Sequence, residues 1–423
     1  MPTVSFWEKT DLNTPLKILL SAYSCGPNRG SEPGVGWNAA MALAQHAEVH
    51  VLTTSEFLAD IEAEMAAGRV PETLHFHFHE FPLGRLVWHR KNGLLVRAHY
   101  TLWQRSAAKK VRQLHRAEHF TSAQHLTFVR YWSPSCLAGS GIPYVFGPVG
   151  GAEFVPPCLS AGFPFKARVF EKIRNLIRWC SEHSHGTRKT LREASFVLAT
   201  TRLSAEHCAR IRGTESGVSV FGESALNPKD LAALERIPDA HGGIRFCGLG
   251  RLVPLKRYDL AVRAFARASI PDAELRLVGG GPEADALQTL AETLGVAKQV
   301  SITGFLPRAE ALAAMKACDV MIHPSTHDSG GWACVEAMGA GLPVVCLDWG
   351  GPGTQVTDET GYRIPIASED EVVAHMADAL RTLADPAVRK AKSDAAARLV
   401  RESYIWDAKA AYYLSLHQKL AQP

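Results

Sequence analysis

The chain has 423 residues, too many for one ordinary domain, so two domains of about 200 residues each are the natural expectation. With 46% hydrophobic and 21% charged residues it has material for two cores, and no apolar run approaches the roughly 20 residues that span a bilayer. Net charge is only +4, split as 25 Lys and Arg against 18 Asp and Glu up to residue 228 and 21 against 24 beyond it. With no recognised binding motif, that balance argues against nucleic acid as a partner.

In chain order, residues 1–16 lack the charged start and apolar centre of a signal peptide and read as a loose leader. Lys17–Tyr23 is an apolar strand that runs into a Gly/Pro/Asn loop at Cys25–Gly36. A helical pattern from Trp37 to Gln45 and a strand at Val49–Thr53 follow. Strand, glycine loop, helix and strand open a doubly wound α/β domain. Further strand-like runs stand at Leu74–Phe78, Pro143–Phe146 and Phe196–Ala199. Between them, residues 81–117 hold nine Lys and Arg and no acid, interleaved with Leu, Val, Tyr and Trp. Two readings stay open for that stretch: contact with an anionic membrane surface or acceptor, or a solvated basic face over a core stripe.

The alternation restarts after about residue 225. Strands are expected at Ile244–Gly250, Glu274–Val278, Val300–Thr303, Val320–His323 and Pro343–Leu347. The helices between them are Tyr258–Ala268, Glu283–Leu294, Arg308–Ala317 and Ala333–Ala340. Short strands separated by helices of about ten residues argue for a second parallel sheet. The expected division is therefore 17–225, 226–402, and a last helix at 403–423: two Rossmann-like domains facing a central cleft.

Ligands of open parallel sheets bind beyond the carboxyl ends of the strands, so the residues just after each run are the candidates. Gly248-Leu-Gly250-Arg251-Leu252 followed by Lys256 sets a glycine turn beside two cations, a pattern suited to an anion. Gly279-Gly280-Gly281-Pro282 and Gly304-Phe305-Leu-Pro307 are glycine turns at the next two strand ends, weaker alone, where backbone can approach a ligand. The run His323-Pro-Ser-Thr-His-Asp328-Ser329-Gly330-Gly331-Trp332-Ala-Cys-Val-Glu336 is more informative. Ionised carboxylates only accept hydrogen bonds, which suits hydroxyl-rich ligands, and a glycine-led helix start favours a diphosphate. In the first half, Gly34 and Gly36 either approach such a diphosphate or permit tight packing at a helix start. Gln124-His125 and Gly147–Glu153, with Gly150, Gly151 and Glu153, follow two more strands and line the acceptor side of the cleft; His125 is the candidate cleft histidine, or a packed structural one.

Together these motifs resemble the family 4 glycosyltransferases, retaining enzymes of the two-domain GT-B fold, and among them bacterial enzymes of exopolysaccharide and lipopolysaccharide synthesis. The resemblance rests on G-R-L-x₃-K at Gly250–Lys256, G-x-G-P at Gly279–Pro282 and an acid eight residues before Glu336. E-A-M-x-A-G-x-P-V at Glu336–Val344, the Gly350-Gly351…Gly361 tail, and Tyr404-Ile-Trp406 as the return to the first domain complete it. It implies that Arg251 and Lys256 bind the diphosphate of a nucleotide-sugar, Glu336 the ribose, and Asp328 with residues 329–332 the transferred sugar. Gly250, Gly280 and Phe305 belong to the same donor site. Asp328 departs from the family, which usually has Glu there. The implied acceptor is a glycan or a polyprenyl-diphosphate-linked sugar.

No D-x-D pair stands at a strand end, so no metal and no cofactor are expected. Nine cysteines, none in C-x-x-C spacing, indicate neither a zinc site nor a disulfide framework and suit a reducing, cytoplasmic setting, peripheral to the membrane if residues 81–117 touch it. Rival readings are a GT-B epimerase and a non-catalytic nucleotide-sugar-binding scaffold. A nicotinamide dehydrogenase needs G-x-G-x-x-G after its first strand, a spacing absent here.

Overall fold

The computed structural model describes residues 15–81, 93–128, 130–160, 163, 165–235 and 242–422. Of the stretches singled out above, residues 1–14 of the leader and 82–92 of the basic segment lie outside the described residues.

Seven strands form the first sheet: β1 (Lys17–Ser21), β2 (Glu48–Thr53), β3 (Leu74–Phe78), β4 (Ser122–His125), β5 (Tyr144–Val149), β6 (Phe196–Ala199) and β7 (Val218–Val220). Their order is β3-β2-β1-β4-β5-β6-β7, and all pairs are parallel. Six more form the second: β8 (Arg245–Leu249), β9 (Glu274–Val278), β10 (Val300–Ile302), β11 (Val320–His323), β12 (Val344–Leu347) and β13 (Gly361–Ile364). Their order is β10-β9-β8-β11-β12-β13, again all parallel. The strands are short apolar runs such as Ile18-Leu19-Leu20 and Val320-Met321-Ile322, fully buried because helices cover both faces. This is the α/β, GT-B architecture expected above.

The first helix differs from its sequence pattern. It begins at Ser31, not Trp37, and runs through Gly34 and Gly36 to Leu43. Glycine lowers helix propensity, but here it is required. A Cβ on Gly36 would lie 2.5 Å from the Ser24 carbonyl oxygen, and one on Gly34 would lie 2.2 Å from that of Arg29. These glycines pack a helix against its own loop, the second of the two roles considered for them.

The helix Gly93–Glu118 places Tyr100, Trp103, Ala107, Val111 and Leu114 in the core and leaves Arg97, Arg105, Lys109, Arg112 and Arg116 exposed. In its described part the basic segment is a solvated face over a core stripe. At the other end of the chain, Leu226 bridges Ile405 and the helix Trp406–Ala421 returns to the first sheet. Trp406, Tyr413 and Leu414 join the first core, and His417 bonds Ser122 Oγ at 2.9 Å and Gln124 Oε1 at 3.1 Å.

Candidate active site

β8 and β11 are hydrogen-bonded neighbours, so the loops leaving their carboxyl ends lie side by side. Gly250 turns the first loop with φ +149°, a conformation open to glycine, and a short turn at Pro254–Lys256 brings Lys256 across to the second. Lys256 Nζ lies 2.7 Å from Asp328 Oδ2, and His323 Nε2 lies 3.0 Å from the same oxygen. The other carboxylate oxygen accepts the Gly331 N–H at 3.0 Å, closing the start of the helix Trp332–Gly339.

These contacts set the charge state. Burial alone pushes the Asp328 carboxyl up, but the His323 hydrogen bond and the Lys256 charge outweigh it and hold it well below the usual carboxylate range. Burial and then Lys256 push His323 down, so its ring is neutral, with Nε2–H donating and Nδ1 left without a partner. Asp328 is therefore an ionised hub that joins two loops. The shorter acid keeps its carboxylate against its own backbone.

The glycines beside it are clamped. Gly331 has φ +55°, and a Cβ there would lie 2.1 Å from Gln355 Oε1. The Gly330 carbonyl accepts from Gln355 Nε2 at 2.6 Å and from the Ser224 hydroxyl. Ser329 faces the first domain, where a Cβ on Gly150 would come within 3.0 Å of its own Cβ. Trp332, half-buried, packs between cores of the two domains. Glu336 is buried one turn along, its Oε1 2.5 Å from an Arg308 guanidinium nitrogen. Burial raises its carboxyl, and Arg308 opposes that rise.

The glycine turns nest on one another. A Cβ on Gly279 would lie 1.9 Å from the Gly250 carbonyl oxygen, and one on Gly280 would lie 3.0 Å from the Phe305 nitrogen. Phe305 itself is 88% exposed on the rim, and the Arg251 side chain is exposed, with no ion pair among the described residues. Arg251, Gly280 and Phe305 thus form the outer lip of the site, with Lys256, Asp328 and Gly331 deeper.

On the first domain, Gly151 has φ +96° and donates to Glu153 Oε2 at 2.9 Å. Glu153 is buried, and its Oε1 accepts from Thr201 Oγ1 at 2.6 Å and Ser204 Oγ at 3.0 Å. It braces the loop that holds Gly150 near Ser329. His125 has the packed geometry that stood as the alternative to a cleft role. It is 1% exposed at the end of β4, with Nε2 3.1 Å from Tyr100 Oη and Nδ1 3.1 Å from Ser135 Oγ. Burial pushes its pKa down to about 4. Both nitrogens are bonded to neighbours in the core.

Four groups escaped the sequence reading. His323 carried one signal, as a polar residue closing a strand. Arg308 and the Arg174–His327 contact (2.7 Å) had none, because each partner is distant in sequence. Glu223 is buried, with Oε2 unpartnered; burial and then the carboxylates of Glu32, Asp328 and Glu153 raise its pKa well above normal. Among the described residues, one group has metal-ligand spacing, Glu48, His50 and His75, near the amino ends of β2 and β3. Lys17 Nζ already sits 2.9 Å from the Glu48 oxygen there.

Residues 236–396 match the family model of the group 1 glycosyl transferases. The part of the chain similar to the group 1 glycosyl transferases is its second domain, and the whole has the GT-B fold. That domain holds Gly250, Arg251, Lys256, Asp328 and Glu336. The chain is 34% identical over 168 residues to a GDP-mannose-dependent mannosyltransferase acting on phosphatidylinositol monomannoside in Mycolicibacterium smegmatis, covering 37% of this chain and 43% of that one. It is 30% identical over 173 residues to a lipopolysaccharide core biosynthesis glycosyltransferase of Rhizobium meliloti, covering 41% and 48%. The chain thus spans about half the length of the curated relatives it matches. Across both domains, the crystal structure of Anabaena HepE with UDP aligns with TM-score 0.56 at 17% identity, covering 95% of this chain and all of that one. Among the described residues no helix is long and apolar enough to cross a membrane.

Proposed function

We propose that this chain is a retaining glycosyltransferase that moves a sugar from a nucleotide-diphosphate sugar to a glycan or polyprenyl-diphosphate-linked acceptor, in bacterial surface polysaccharide synthesis at the cytoplasmic side of the membrane. The observation that carries the reading is the Lys256–Asp328 contact, which locks two neighbouring strand-end loops around the glycine-lined start of a helix. The relative that uses GDP-mannose and the neighbour solved with UDP support a nucleotide-sugar donor.

Charge accumulates on the leaving diphosphate as the glycosidic bond to the nucleotide breaks. In this reading Arg251 and Lys256 stabilise it, Lys256 already held in place by Asp328, while the Gly330-Gly331 backbone admits the sugar. Glu336 receives the ribose hydroxyls and Phe305 covers the base. The acceptor hydroxyl attacks from the face the diphosphate leaves, and a phosphate oxygen takes its proton. The two cations supply the charge without a resident metal. Gly150, Gly151 and Glu153 shape the acceptor side.

A panel of nucleotide-sugars read by thermal shift tests the donor site, since a ligand at about 100 times its Kd stabilises by about 2.7 kcal/mol. NMR of the transfer product then reads the anomeric outcome. If no nucleotide-sugar shifts the midpoint, the reading is wrong; an inverted anomer overturns retention alone. The inward-turned Asp328 favours a second reading, a donor-binding protein without turnover, which transfer or donor hydrolysis above background excludes.

A further inference from the structure

The helix Phe165–Glu182 is turned inside out. Val169, Phe170, Ile173, Leu176 and Ile177 recur at the i, i+1, i+4, i+7, i+8 spacing of one helical face, and that face points to solvent. Phe170 is 56% exposed, Ile173 52%, Leu176 60%, and Trp179, beside them, 58%. Glu171, Arg174, Arg178 and Glu182 lie opposite and inward. Glu171 and Glu182 are buried, Arg174 reaches His327 and the Glu153 carbonyl, and Arg178 reaches the Ala152 carbonyl. An isolated exposed leucine needs no explanation. A continuous stripe of large side chains, with its acids turned into the protein, does.

The charges around the stripe identify what covers it. Arg168 and Lys172 flank it on the same helix, and Arg188 and Arg192 stand exposed on the next helix, His185–Glu193. A surface cavity of about 610 Å³, lined by His183, His185, Arg188, Lys189, Arg192 and Glu193, continues the cationic surface past the helix end. Between residues 168 and 192 the two acids, Glu171 and Glu182, are both buried. Glu193, just beyond, is exposed but lies 3.8 Å from Lys189, so cations outnumber acids around the apolar and aromatic side chains, which complements a bilayer whose headgroups are anionic.

We infer that the 165–182 helix is the membrane-docking element of this protein, lying in the plane of an anionic phospholipid surface with Phe170, Ile173, Leu176 and Trp179 in the headgroup–acyl boundary. This places membrane contact on a different element from the 93–118 helix, whose apolar stripe is spent in the core. The same helix holds His327, the neighbour of Asp328, through Arg174, so a docked bilayer would lie on the element that braces the donor loop. The docking stands whether or not the site transfers sugar, and its test needs no donor.

The full chain is floated with vesicles of phosphatidylcholine alone and of phosphatidylcholine mixed with phosphatidylglycerol. It is expected to partition onto the anionic vesicles, less so as salt rises. The double variant Ile173→Ser/Leu176→Ser is expected to partition at least about tenfold more weakly with an unchanged melting midpoint, because both side chains are already in water. Arg168→Glu/Lys172→Glu is expected to lose the preference for anionic lipid. Should the serine variant fold poorly, quenching of tryptophan fluorescence by brominated lipid gives an independent reading, strong in the native chain and reduced in Trp179→Phe. Failure of the native chain to bind anionic vesicles, or equal binding by a folded serine variant, overturns the inference. So does a concentration-dependent dimer that the serine variant abolishes without vesicle binding by the native chain, which would assign the face to a second copy.

Discussion

Lys256 and Asp328, 72 residues apart in sequence, meet at 2.7 Å and join the loops after β8 and β11. Each changes what the other can do. With His323, the lysine keeps the buried acid ionised, and the acid holds the lysine inside the site before any ligand arrives. A donor diphosphate in this position would share Lys256 with Asp328.

Lys256→Ala is therefore expected to have two effects. Turnover falls by at least about a hundredfold, the scale of losing one preorganised donor to developing negative charge. Stability also falls, since a largely buried carboxylate keeps only His323 and one backbone N–H. Steady-state kinetics alongside urea melts separate the two; normal turnover in Lys256→Ala removes the lysine from the mechanism.

Arg251→Ala gives the cleaner comparison. Its side chain is exposed and unpaired among the described residues, so stability should change by no more than about 0.5 kcal/mol while kcat falls by about a hundredfold. A large loss of stability in this variant would mean that the guanidinium has a structural role.

For His125 the expectation is reversed. His125→Phe leaves Tyr100 and Ser135 without their shared partner in the core, at about 1–3 kcal/mol for each buried polar group. The fraction that stays folded should turn over normally. Loss of kcat without loss of stability would return His125 to the catalytic set.

Acid should destabilise the fold in a defined window. Burial pushes His77 and His125 down to about 4 and His417 to about 3, below the ordinary 6.5 of the unfolded chain. The unfolded chain binds more protons, so stability is flat above about pH 6.5 and declines as pH falls toward 4. Urea midpoints across that range check this, with His417→Gln expected to flatten the slope.

Glu336 and Arg308 make a pH-dependent pair of the opposite sign. Burial raises the folded pKa of Glu336 above its ordinary 4.5, and Arg308 limits the rise. In Arg308→Ala the carboxyl rises further, and stability is lost as pH climbs from the unfolded value through the folded one. The variant should thus be more destabilised, relative to native, at about pH 8 than at about pH 5. An equal penalty at both would show that Arg308 does not neutralise Glu336.

Much of the fold was legible because its signals are local. Runs such as Val320–His323 and Glu274–Val278 are apolar, short and bounded by turns, and each strand appears where its run stands. The glycine loops and the acid-x₇-Glu spacing were equally local, and they lie in the stretch that matches the group 1 model. The first helix was misplaced because the propensity cost of Gly34 and Gly36 is visible in the sequence, whereas the backbone they must pass is not.

By itself the sequence determined two parallel α/β layers and a strand-end loop rich in glycine and acid, since hydrophobic period and turn chemistry act over a few residues. Tertiary structure alone decided which charges meet. Asp328 became an inward hub through Lys256 and His323, Glu336 was paired by Arg308, and His125 was drawn into the core by Tyr100 and Ser135. It also decided that the 165–182 helix shows its apolar face to solvent. Period locates an apolar stripe on a helix, but only the packing of the rest of the chain determines which way that stripe points.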